Sequence, residues 1–150
     1  MFCKKMNRKL LLRPIFILWL LAITALSVMP NADNGVMEKS NLTPSGMEKH
    51  LIGYFFAALF CYFAYGSKNS EYNIKVSKYK TQQQTIYGNE IFFILVSGLL
   101  IFIYSIALEI IQHFLPYRTF NVYDIIANGS GICLFAVAYL LNYIRKKYSK

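Results

Sequence analysis

Four apolar stretches alternate with polar ones along the chain, and each apolar stretch is close to one membrane crossing in length. The first runs over about residues 10–29, with Pro14 suited to a first helical turn and Pro30-Asn31 closing the pattern. The second covers about 46–65 and is preceded by Ser45-Gly46-Met47-Glu48, the Ser-x-x-Glu form of a capping box. The third covers about 91–114 and is stopped by Pro116, which has no backbone N–H to continue a helix. The fourth covers about 122–143, with Asn121 placed to cap it. This pattern predicts an all-α polytopic membrane protein with four transmembrane helices.

Composition narrows the class. The 150 residues are 56% hydrophobic and 15% charged, with a formal net charge of +9. A chain this short, with four spanning helices, leaves little room for a separate soluble domain, so residues 1–150 read as one transmembrane domain. The basic residues sort by segment. Lys4, Lys5, Arg8, Lys9 and Arg13 lie at the start; Lys68, Lys75, Lys78 and Lys80 lie in the second polar segment; Arg145, Lys146, Lys147 and Lys150 lie at the end. The other two polar segments are poor in lysine and arginine. The positive-inside rule then puts both termini and the second polar segment in the cytoplasm. The charge is thus a topology signal, the lipid bilayer is the partner it implies, and nucleic acid is not expected. Gln82-Gln83-Gln84 reads as a solvated loop. A basic head before an apolar run also describes a signal peptide; the absence of a small-x-small cleavage site favours a retained helix. Cys3, Cys61 and Cys133 show no metal spacing, and Cys61 and Cys133 read as small buried hydrophobes. Tyr54, Tyr62, Tyr65, Tyr117, Tyr123 and Tyr143 are expected near the membrane interfaces.

The candidate chemistry gathers between Glu109 and Gly131. With helix three starting near Ile91, Glu109 lies about 27 Å along it, near the far side of a ~30 Å core. Asp124 and Asn128 lie about 4 and 10 Å below the start of helix four, and Glu48 and His50 open helix two on that same side. Three helices therefore offer polar groups at one outer level. Glu109, Gln112 and His113 share a helical face, as do Asp124 and Asn128. Groups of this kind are costly in hydrocarbon and are expected to face the bundle interior, where Ala127, Gly129 and Gly131 allow close helix approach. Glu109 and Asp124 suit a general acid/base pair, with His50 as a further base or ligand. Arg118 suits a clamp on a phosphate or carboxylate, with Gln112 and Asn128 orienting the substrate. The alternative is a structural network in which Arg118 neutralises both acids and the amides tie helices together. His50, Glu109, His113 and Asp124 are conceivable metal ligands, but there is no His-Glu-x-x-His pattern, and neither metal nor cofactor is expected. No phosphate-binding Gly-rich loop and no Gly-x-Ser-x-Gly elbow is present.

These residues resemble the VanZ-like family of small bacterial membrane proteins. The most specific match is Glu-x-x-Gln, then proline and arginine, then Asp-x-x-x-Asn-x-x-Gly: here Glu109, Gln112, Pro116, Arg118, Asp124, Asn128 and Gly131. Ser27 and Pro30 match a Ser-x-x-Pro ending of helix one, and Glu48-Lys49-His50 with Tyr54 match a Lys/Glu-rich approach to a His. Many members carry Asp-Lys before that His, where this chain has Glu48-Lys49 after Gly46-Met47. The resemblance implies a multi-pass protein of the bacterial plasma membrane, associated with low-level resistance to teicoplanin and other lipoglycopeptides. The expected function is an outward-facing polar pocket that binds or modifies a lipid-linked or peptidoglycan-related envelope molecule. A non-catalytic binder of a glycopeptide, or a structural partner of an envelope-synthesis complex, is the alternative.

Overall fold

The computed structural model describes residues 8–30, 46–66, 81–118 and 120–148. They form helices α1 (Arg8–Val28), α2 (Met47–Cys61), α3 (Thr81–His113) and α4 (Val122–Tyr148), with a π-turn, Tyr62–Gly66, continuing α2. No strand occurs among the described residues, so the all-α class holds.

Among the described residues three helices, rather than the expected four, are long and apolar enough to cross a membrane: Leu11–Val28 in α1, Glu90–His113 in α3 and Val122–Lys146 in α4. The exception is α2, whose regular α-helix stops after 15 residues. There the backbone widens into the π-turn and the Tyr62 ring seats against Phe135 and Tyr139. Gly66 closes the turn against that ring; a Cβ on Gly66 would lie 2.7 Å from Tyr62 Cδ2 and 3.0 Å from Phe93 Cε1.

Contacts fix the direction of each helix. At one end, the Arg13 guanidinium lies over the Tyr65 ring, 5.4 Å from its centroid. Tyr139 there donates a short hydrogen bond to Glu90, and Tyr62 donates to Tyr139 at 3.4 Å. At the other end lie Met29, His50, the end of α3 and the start of α4, joined by bonds described below. The first turns of α1 and the last turns of α4 therefore share one end of the bundle, opposite the polar residues.

The core is built around α2. Tyr54, Ala57, Ala58 and Cys61 pack against Ile94 and Ile101 of α3 and Phe135 of α4. Small residues on α2 and α4 let their backbones close up. A Cβ on Gly131 would overlap the Leu51 carbonyl oxygen and sit 3.0 Å from Phe55 N. On α3 the buried positions Ile94, Gly98, Ile101, Ser105, Leu108, Glu109 and Gln112 form one stripe. Phe92, Leu95, Leu99, Leu100 and Ile103 cover the outer face and stay exposed, as a lipid-facing surface would. α1 joins through Trp19 Nε1, which donates to Gly53 O at 2.9 Å.

Other expectations shift. α3 begins at Thr81, not near Ile91; glutamine is a good helix former, so the Gln82–Gln84 run extends the helix rather than looping out. α4 reaches Tyr148, since basic residues suit a helix C-terminus. Pro14 lies inside α1, which starts at Arg8. Gly46, with φ 130°, is the N-cap of α2 and makes no side-chain cap bond; the expected cap, Ser45, lies outside the described residues. Tyr54 is buried in the core rather than at an interface, and Cys133 is exposed on α4. Cys3 and the basic segment Lys68–Lys80 lie outside the described residues.

Candidate functional site

Asn121 opens the site by ending one segment and starting the next. Its Oδ1 accepts from Tyr123 N at 3.0 Å, capping α4 as its position predicts. The first turn of α4 then carries Asp124, and Asn128 lies one turn on, on the same face. α2 brings His50 to that face at its own first turn, and α3 brings Glu109 near its last.

Two bonds hold His50. Its Nδ1 lies 3.0 Å from Asn128 Oδ1. An amide oxygen only accepts, so Nδ1 is the donor and carries the proton. Its Nε2 lies 3.7 Å from Asp124 Oδ2. Glu109 completes the group: one ligand-type atom from each of His50, Glu109 and Asp124 lies within 4.8 Å of the other two. Burial is uneven. Glu109 and Asn128 are 1% exposed, whereas the side chains of His50 and Asp124 are 25% and 18% exposed. The cluster is thus closed on the α3 side and open past His50 and Asp124. The Asn121 backbone amide points at the Glu109 carboxylate, yet Glu109 Oε2 is buried without a hydrogen-bond partner among the described residues. A buried carboxylate oxygen left unmatched is costly.

Arg118 and Gln112 do something else. Arg118 Nη2 donates to Leu26 O and Met29 O, each at 2.6 Å, and its Nε donates to Met29 O at 3.1 Å. Gln112 Nε2 donates to Ser27 O at 3.1 Å. The last carbonyls of a helix lack intrahelical partners, and these two side chains supply them for α1. Among the described residues no ion pair joins Arg118 to Glu109 or Asp124. The bonds that Arg118 makes dock α1, and its charge acts on Glu109 without a direct ion pair. Arg118→Ala is expected to lower stability by about 1–2 kcal/mol through loss of these charge-assisted bonds, discounted for partial exposure. Arg118→Lys should recover less than half of that, because an ammonium lacks the fork that spans two carbonyls. Thermal unfolding in detergent measures both.

His113 is exposed and packs edge-on against Phe114 and Phe120, with centroids 5.6 and 6.4 Å apart. Glu48 is exposed as well. Neither joins the cluster. Two tyrosines that the sequence gives no part in the site lie close to it: Tyr54, named only in the family pattern and among the interface tyrosines, is buried near Glu109 and Tyr104, and Tyr104 is the other. The Tyr104 hydroxyl forms a short bond with Thr24 Oγ1 and donates to Leu20 O at 3.3 Å. Their signal was a tyrosine within an apolar run, which also describes ordinary packing.

A family model described as VanZ/LLP1 matches residues 15–143, from α1 to the last turns of α4. No curated protein and no solved structure matches.

Proposed function

Because the chain belongs to the VanZ-like family, described as VanZ/LLP1, we propose that this membrane protein binds or modifies a cell-envelope molecule, lipid-linked or peptidoglycan-related, at the His50–Glu109–Asp124 cluster. The observation that carries this reading is Glu109: a carboxylate 1% exposed, with an unpartnered oxygen, beside two polar groups that open to the exterior. A packing role gives no reason to keep such a group in an apolar bundle, whereas an interior ionisable residue in a membrane helix is a functional candidate by default.

The sidedness follows from charge. The first turns of α1 carry Arg8, Lys9 and Arg13, and α4 ends in Arg145 and Lys146. Both lie at the end of the bundle away from the cluster, so the positive-inside rule puts them in the cytoplasm and the cluster at the outer rim of a bacterial plasma membrane. There Glu109 and Asp124 serve as acid and base, or as ligands to a headgroup, and His50 is held in one tautomer by Asn128. A change in the envelope target would lower its capture by teicoplanin and related lipoglycopeptides.

One observation favours a second reading, a non-catalytic binder or partner of an envelope-synthesis complex. Arg118 and Gln112, the groups best suited to grip a substrate, are engaged with α1 carbonyls. Lipid and muropeptide profiling separates the two. Cells making the protein are expected to differ from cells lacking it, and the difference should vanish with Asp124→Asn at equal protein abundance. Identical profiles in all three, with unchanged teicoplanin susceptibility, would refute envelope modification.

A further inference from the structure

We propose that His50, Glu109 and Asp124 form a binding site for one divalent transition-metal ion, Zn²⁺ or Mn²⁺, at the outer rim of the bundle. This deepens the reading above and rests on it for the chemistry, but the site itself rests on geometry.

Spacing comes first. Ligands sharing one ion at bonds of about 2.0–2.2 Å lie roughly 3–3.5 Å apart. Here the atoms all lie within 4.8 Å of one another, and His50 Nε2 is 3.7 Å from Asp124 Oδ2. Side-chain rotation closes a gap of that size without moving a helix. Tautomer comes second. A metal-bound histidine donates its other ring N–H to a carbonyl or carboxylate, and His50 Nδ1 does this to Asn128 Oδ1 at 3.0 Å. Its Nε2 then faces Asp124 Oδ2 at 3.7 Å, where a proton or a metal ion would join the two. Third, Glu109 Oε2 is buried with no hydrogen-bond partner among the described residues. Charge agrees with these. Two carboxyl groups share this cluster, and among the described residues no ion pair joins them to a guanidinium, since Arg118 is held by α1.

The donor set selects the class of ion. One imidazole and two carboxylates suit zinc or manganese better than the all-oxygen preference of calcium or magnesium. Three protein ligands leave at least one position open, as in catalytic rather than structural zinc sites. That position faces outward past His50 and Asp124, where an ion would polarise a phosphoryl or carbonyl oxygen of the envelope ligand.

The full-length protein, purified in detergent and stripped with chelator, is titrated with Mn²⁺ alone and with Zn²⁺ alone. Elemental analysis is expected to give about one equivalent per chain, as a mononuclear site requires. Electron spin-echo modulation of the Mn²⁺ sample should show one imidazole nitrogen, absent in His50→Ala. Glu109→Gln should abolish stoichiometric binding and the rise in Tm that the ion confers. Asn128→Ala should weaken binding by about 10–100-fold, through loss of the bond that orients His50. If Glu109→Gln fails to fold, Asp124→Asn, at a partly exposed position, decides in its place. Substoichiometric metal in the wild type, or binding unchanged by the Glu109 and Asp124 substitutions, would overturn the site. A metal-free protein that still alters the envelope refutes the metal alone; one bound ion with an unaltered envelope refutes the functional reading alone.

Discussion

Gly131→Ala is expected to cost about 3 kcal/mol of bundle stability, the upper end for an overpacked core. The reason lies in what the new methyl meets. At Gly98 and Gly129 a methyl presses on a side chain that can turn away, Ile132 at 3.1 Å and the Phe102 ring at 3.2 Å. At Gly131 it would overlap the backbone carbonyl of Leu51 and approach Phe55 N to 3.0 Å. Backbone inside a helix does not rotate aside, so α2 and α4 must separate. That separation reaches the site, because His50 lies one residue before Leu51 and bonds Asn128, one turn before Gly131. A shift of about 1 Å would break that bond. The matched control is Gly53→Ala, where a Cβ meets nothing within 4 Å. It should leave stability unchanged or raise it by about 0.5–1 kcal/mol, the usual gain of alanine over glycine in a helix. Thermal or SDS-induced unfolding of the pair in detergent tests this. Equal midpoints would mean that α2 and α4 are not in backbone contact.

The convergence of polar groups was legible in the sequence because it depends only on helix rise and period. Glu109 near the end of one helix, Asp124 and Asn128 near the start of the next, and His50 opening another had to share a level. Gly131 as a point of close approach was legible for a similar reason. Arg118 and Gln112 were not: their partners are the carbonyls of Leu26, Ser27 and Met29, and a carbonyl looks the same at every residue. Ser27 did stand out, but its role is played by its backbone. The number of long spans is not legible in the sequence because a π-turn has no residue code. Residues 46–65 read as one uninterrupted apolar run, and only packing of Tyr62 against Phe135 and Tyr139 shows where the α-helix yields. Composition points Tyr54 to an interface, while its depth is set by α2 running through the middle of the bundle.

Glu109→Gln is expected to remove function while leaving the fold intact, and that combination distinguishes the site from a structural network. The amide keeps the volume and planarity of the carboxylate, so no cavity forms. It removes a charge from a position 1% exposed. A buried carboxylate oxygen without a partner costs free energy that a neutral amide of the same shape reduces, unless the carboxylate is itself a tie between helices. Stability should therefore stay within about 1 kcal/mol of wild type or rise. Function should move the other way: loss of an acid–base group costs about 10²–10⁴-fold in rate, and loss of an anionic ligand removes any bound ion. Glu109→Ala does not make this separation, because it also opens a cavity worth about 2–4 kcal/mol beside Ser105 and Leu108. The measurement is paired: the unfolding midpoint of purified Glu109→Gln, and the lipid and muropeptide profile of cells producing it. A raised or equal midpoint with a profile matching cells that lack the protein identifies Glu109 as a working group. A lowered midpoint with a wild-type profile would make the buried carboxylate a structural element of the bundle and remove the acid–base role assigned to it.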